Sequence, residues 1–146
     1  MEETEIKYHT VAHIALRSLQ DMYGKETRCM GCNMTNERLR FDFSLDRKMT
    51  DEEKEELVLK INNYIDKGFE VIKEEMTLEE AKATGAHGDF NNKYGEKVFV
   101  YKIGDISNEI CGGPHVSNTN ELSHVKLTKE ESSSHGVRRI KLEFIK

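Results

Sequence analysis

Four residues in two pairs carry the clearest chemical potential in this sequence. His9 and His13 stand four apart, and a thiol and an imidazole recur at the same separation in Cys111-Gly112-Gly113-Pro114-His115. On a helix, residues i and i+4 share a face, so the first two imidazoles can reach a common point. In the second pair the glycines let the backbone turn sharply and bring both side chains round. Taken singly, each pair has a plainer reading: partly buried helical histidines bonded to backbone, and a tight turn with an incidental Cys and His. Together they offer three nitrogens and one thiolate, a full tetrahedral set for Zn2+. One zinc ion per chain is therefore expected on His9, His13, Cys111 and His115. Cys29 and Cys32 form a CxxC spacing, which could mark redox chemistry or a second metal. They fall in a predicted strand with no helix start to lower a thiol pKa, so packing or pocket lining is the expected role.

The elements that must position these groups are legible from periodicity. From Tyr8 to Tyr23, Val11, Ala12, Ile14, Ala15, Leu16, Leu19 and Met22 recur at spacings of three and four, and Gly24 follows as a stop, which predicts a helix carrying the His pair. Segments 27–34 and 39–45 read as a β-hairpin, with Leu39, Phe41 and Phe43 on one face and Arg38, Arg40 and Asp42 on the other. Thr50 before three acids is a capping-box start for a second helix that ends at Gly68. A strand over 69–76, a short capped helix from Thr77 to Gly85, a polar loop over 85–96, and strands over 97–103, 123–127 and 137–145 complete the chain. Helices and strands are intermixed without βαβ alternation. The expected class is α+β, an antiparallel or mixed sheet with helices on one face, in one domain over residues 1–146.

Composition narrows the setting. The 146 residues include 36% hydrophobic and 34% charged types, with no Trp and one Pro, as in a globular domain with a charged surface. No apolar run is long enough to span a membrane and the first residues lack a signal-peptide core, so a cytoplasmic protein without membrane partners is expected. Three cysteines, an odd number without an export signal, fit thiols in a reducing compartment. A net charge of -5 provides no global field for phosphate backbones, so DNA is not an expected partner and any RNA contact needs a local basic patch.

The ordered motifs His9-Thr10-Val11-Ala12-His13, Glu37 to Phe43, Met76 to Ala81, Lys93 to Val98, Cys111 to Val116, Asn118-Thr119 and Gly136 to Ile140 resemble the editing domain of alanyl-tRNA synthetases. That domain also occurs in freestanding alanyl-tRNA editing proteins and is related to the threonyl-tRNA synthetase editing domain. The resemblance implies an ATP-independent hydrolase of mischarged tRNA, acting on Ser or Gly attached to alanine tRNA. It implies zinc on the four ligands and catalytic roles for His9, His13, Cys111 and Glu109. It also implies substrate contacts from Thr10, Cys29, Arg40, Gly112 and Gly113, a Thr10 hydroxyl bonded back to a helix carbonyl being the alternative. Arg38, Arg40, Lys93, Arg138 and Arg139 are the local basic groups for the tRNA end, with alternating charge on an exposed sheet face as the equal alternative. Glu109 would bind the substrate ammonium or orient a zinc-bound His, with a plain surface salt bridge as the alternative. In the threonyl branch the matching residues are thought to work without zinc, His9 or His13 acting as general base. Two departures bear on specificity: Cys29 stands where the alanyl family has Gln, and Pro114 where it has Thr. The chain also begins almost at the His pair, without the N-terminal β-domain of longer freestanding relatives, which implies weaker tRNA selectivity. A non-catalytic zinc-containing tRNA-binding module is the alternative, and oligomeric state is left open.

Overall fold

The computed structural model describes residues 2–86 and 95–145. Among them the order is α1 (Glu3–Tyr23), β1 (Cys29–Met34), β2 (Leu39–Ser44), α2 (Asp51–Asp66), β3 (Val71–Thr77), α3 (Leu78–Ala83), β4 (Lys97–Ile103), β5 (Ser107–Ile110), β6 (Val125–Ser134) and β7 (Val137–Phe144), with a 3-10 turn at Thr119–Glu121. The class is α+β, as expected, but the one sheet foreseen is two. Strands β1-β2-β7-β6 form the first and β3-β4-β5 the second, and every neighbouring pair is antiparallel.

The main core lies between the first sheet and the two long helices. Leu39, Phe41 and Phe43 of β2 alternate inward and meet Val11, Ile14, Ala15 and Leu19 of α1 together with Leu57 and Ile61 of α2. Each fully buried side chain of this size contributes about 1.5–3 kcal/mol. Tyr8 closes one end: its ring stacks on Phe144 at 4.3 Å, and its hydroxyl accepts from the Phe144 N–H and donates to the Glu37 carbonyl. Helix α1 begins at Glu3, earlier than its apolar stripe suggests, with Glu3 and Glu5 in its first turn where acids favour the helix dipole. Both α2 and α3 start on complete capping boxes, Thr50 with Glu53 and Thr77 with Glu80.

The second sheet has two occupied faces. Val98 and Val100 join Met76, Ala81 and Ala86 in a small core under α3, while Ile103 belongs to the main core on the opposite side. Strand β5, Ser-Asn-Glu-Ile, was not foreseen because it has one apolar residue; it forms by pairing with β4. Strand β6 runs on to Ser134, beyond the predicted 123–127. Its polar stretch is stabilised by charge across the β6–β7 pair, as in the Glu130–Arg138 contact at 2.6 Å. Most of the predicted 85–96 loop, including Lys93 and Tyr94, lies outside the described residues.

Candidate metal centre

Helix α1 touches both sheets, and its His face turns to β5. On that side the β4–β5 register sets Tyr101 opposite Glu109 and Ile103 opposite Ser107. The Cys111 N–H continues the pairing with the Phe99 carbonyl at 3.0 Å. Alternation thus puts Ser107, Glu109 and Cys111 on one face, towards α1. The chain then reverses through Gly113, where φ is +66° and an added Cβ would run into the Tyr101 hydroxyl, and through a cis peptide to Pro114. This reversal returns His115 to Cys111, with the Tyr101 ring edge-on to the His115 ring at 4.5 Å.

One ligand atom from each of His9, His13, Cys111 and His115 lies within 4.8 Å of the others. Cys111 Sγ is 3.5 Å from His9 Nε2 and 3.4 Å from His115 Nε2. A zinc tetrahedron with its usual nitrogen and sulfur arms has edges of roughly 3.3–3.8 Å, and both of these sulfur–nitrogen separations fall in that range, with a donor set that suits zinc.

The outer partners of the rings agree with that fit. His9 Nδ1 lies 2.9 Å from the Pro114 carbonyl, His13 Nδ1 2.8 Å from Glu109 Oε1, and His115 Nδ1 3.0 Å from Thr10 Oγ1. With each Nδ1–H donating outward, every Nε2 is left as a lone-pair donor for the centre, the arrangement by which outer groups fix a ligand's tautomer and orientation. Thr10 can accept from His115 because its own hydroxyl donates to the Ile6 carbonyl at 3.3 Å. Glu109 is itself steadied by the Ser107 hydroxyl at 3.1 Å.

Among the protein groups alone, the cluster is a thiolate held by imidazolium. Burial opposes charge on Cys111, but hydrogen bonds from His115, His13 and His9 outweigh it and bring the thiol down to about 4. Burial likewise opposes charge on His13, yet its bonds to Cys111 and Glu109 push it up to about 10. For His9 burial is again outweighed, by Cys111 and the Pro114 carbonyl, and its pKa is raised; for His115 burial prevails and lowers it.

Beside the cluster, a cleft of about 770 Å³ opens between α1 and the β4–β5 turn. His13 and Glu109 line it, and its charge is mixed: Arg17, Lys25 and Lys102 stand among Asp21, Asp105 and Glu109, with Arg17 paired to Asp21 and Lys102 to Glu74. Sequence reasoning missed these three cations. Arg17 had a signal, since it continues the i, i+4 series of His9 and His13 by one more turn.

The other expected site residues are placed unevenly. Thr10 is fully buried behind His115, where it orients the ring and presents no hydroxyl to solvent. Gly112 is exposed beside Cys111, with nothing within 4 Å of a Cβ built on it. Arg40 stands with Asp42 on the face of β2 opposite to Phe41, away from the cluster. Arg38 is bonded to Asn33, Arg138 to Glu130 and Arg139 to Asp42, so the sheet occupies these guanidiniums. Cys29 and Cys32 are exposed rather than packed.

The family model described as the threonyl and alanyl tRNA synthetase second additional domain matches residues 98–141, the segment that supplies Glu109, Cys111 and His115. The alanine-tRNA ligase of Treponema denticola is 47% identical over 139 residues, covering 95% of this chain and 23% of the ligase. That of Borreliella burgdorferi gives the same figures, and that of Halalkalibacterium halodurans is 44% identical over 144 residues, 96% of this chain and 16% of the ligase. The chain thus spans about a quarter or less of the length of these relatives. With identity running along nearly all of its length, the chain belongs to the family of the alanyl-tRNA synthetase editing domain, the second additional domain of threonyl and alanyl tRNA synthetases.

Proposed function

We propose that this chain is a zinc-dependent aminoacyl-tRNA deacylase that removes a wrong amino acid, Ser or Gly, from alanine tRNA. The observation that carries the reading is the juxtaposition of the four-ligand cluster with a polar cleft lined by His13 and Glu109. Membership of a family whose relatives are alanine-tRNA ligases supports tRNA as the partner.

The chemistry asked of the site is modest. An aminoacyl ester is already activated, so water must be placed, a proton accepted and an oxyanion stabilised, with no covalent nucleophile. Arg17 is paired with Asp21 and Lys102 with Glu74, so Lys25 is the lining cation offered to the phosphates of the single-stranded acceptor end. That end then lies with its terminal ester against the wall formed by His13 and Glu109. Zinc held by His9, His13, Cys111 and His115 would supply positive charge at the wall of the cleft. His13, paired to Glu109 at 2.8 Å, is the group whose proton the carboxylate can stabilise as charge develops. A synthetase pocket for a small apolar side chain rejects a near-isostere by only about 10²-fold, which explains the use of a second hydrolytic site.

One observation favours a second reading. Four protein ligands close a tetrahedral sphere, the usual arrangement of a structural or positioning ion, so a module that binds the tRNA end without hydrolysing it is the alternative. The two separate on one experiment. The purified chain, with metal content assayed, is mixed in catalytic amounts with Ser-tRNA(Ala), Gly-tRNA(Ala), Ala-tRNA(Ala) and Ser-tRNA(Thr), and free amino acid is measured alongside bound tRNA. Turnover of a mischarged species with Ala-tRNA(Ala) spared supports the deacylase. Retention of tRNA without release supports the binding module.

A further inference from the structure

The CxxC of β1 gains a property that a regular strand would deny it. In unbroken β structure, residues three apart point to opposite faces. Here the β1–β2 register shifts between Cys29 and Gly31, so Cys29 pairs with Phe43 and Cys32 with Phe41, two positions apart on β2 and therefore on one face. Gly31 between them has a φ of +153°, a conformation side chains rarely adopt, and nothing lies within 4 Å of a Cβ built there. The backbone between the two cysteines is thus a bulge on an edge strand with room to adjust. Both residues are exposed.

From this juxtaposition we infer that Cys29 and Cys32 form an oxidisable dithiol, a modification site on which a hydroperoxide installs an internal disulfide. Cys32 is the attacking sulfur and Cys29 the resolving one. Interaction with Cys29, helped by the positive potential of His9 and His13, holds the Cys32 thiol down to about 6, and the same interaction pushes Cys29 up. An accessible thiolate beside a resolving thiol is the arrangement that hydroperoxides oxidise selectively.

The electrons balance over two steps. The Cys32 thiolate attacks the peroxide, forming an S–O bond and breaking O–O; the departing alkoxide takes a proton and leaves as an alcohol, or as water from hydrogen peroxide. Cys29 then attacks the sulfenic sulfur of Cys32, forming S–S and breaking S–O, and the hydroxyl leaves as water with the Cys29 proton. Two thiols lose two electrons in all, and the peroxide gains them. The inference does not depend on tRNA hydrolysis.

The test uses the protein as purified, treated with hydrogen peroxide, alkylated, and digested with trypsin without reductant. Cleavage after Arg28 and Arg38 releases both thiols in one peptide and leaves Cys111 in another. The expected product is a Cys29–Arg38 peptide lighter by two hydrogen atoms, refractory to alkylation until dithiothreitol is added. In Cys29→Ser, Cys32 should be trapped by dimedone at least tenfold faster than Cys29 is in Cys32→Ser. The inference is overturned if the peptide stays fully alkylated, if the disulfide joins it to the Cys111 peptide, or if the two single-thiol variants label alike.

Discussion

The role of each cluster residue follows from which nitrogen or sulfur it turns inward, and substitutions should separate accordingly. Cys111→Ala removes the one anionic ligand and is expected to lose stoichiometric zinc and amino acid release together, as read by metal analysis and deacylation. Glu109→Gln keeps an acceptor for His13 Nδ1–H but loses the charge, and zinc affinity should fall about 10–100-fold with the fold intact. The proton balance gives a further expectation. Zinc must displace the proton of His13, pushed up to about 10, whereas Cys111, held near 4, is already a thiolate. Between pH 7 and 9 affinity should therefore rise with pH, by about tenfold per unit for each proton released. Calorimetry in buffers of different ionisation enthalpy counts those protons, and an affinity flat in pH would contradict the assignment. The four ligands were legible in the sequence because helix periodicity and a Gly-Gly turn each bring a pair together. Glu109 was legible only as one of several options, since its choice of His13 depends on the β4–β5 register. Of the two readings of Thr10, the hydroxyl bonded back to a helix carbonyl is the one present, at Ile6, while its second contact, with His115, depends on the loop that no helix pattern discloses.

Elements set the precision of the site. The long helices and the hairpin were readable from the 3.6 and 2.0 periods of their apolar residues. What was hidden is where packing or pairing overrides local pattern: β5 exists because β4 is beside it, and the polar half of β6 because Arg138 meets Glu130. The division into two sheets was hidden for the same reason, as strand partners are chosen across long sequence separations. Two variants distinguish framework from site. Thr50→Ala removes the cap of α2 and should cost about 1 kcal/mol in urea unfolding, leaving hydrolysis per zinc site unchanged. Gly113→Ala should act in the opposite sense. Its φ of +66° and the nearby Tyr101 hydroxyl oppose a Cβ, so Cys111 and His115 lose their common point and zinc affinity falls while far-UV circular dichroism is kept.

At the scale of the whole molecule, α1 joins the two sheets, and the cluster ties this helix to β5 and the loop after it. No described helix is long and apolar enough to cross a membrane. Because the ligands come from distant parts of the chain, zinc should bind the native state far better than the unfolded one. At a thousandfold excess over its Kd it would add about 4 kcal/mol, which raises Tm on the order of 10 °C. Thermal unfolding with and without a chelator checks this. With a net charge of -5 and a cleft whose three cations stand among three acids, few phosphates are neutralised, so tRNA binding should depend only shallowly on salt. The most direct measurement of the central claim is the initial rate of serine release from Ser-tRNA(Ala) as zinc is titrated into the chelated protein. The account predicts a rate that grows in proportion to occupancy, levels off at one zinc per chain, and leaves Ala-tRNA(Ala) intact. A fully loaded protein that binds the tRNA and releases no serine would contradict it.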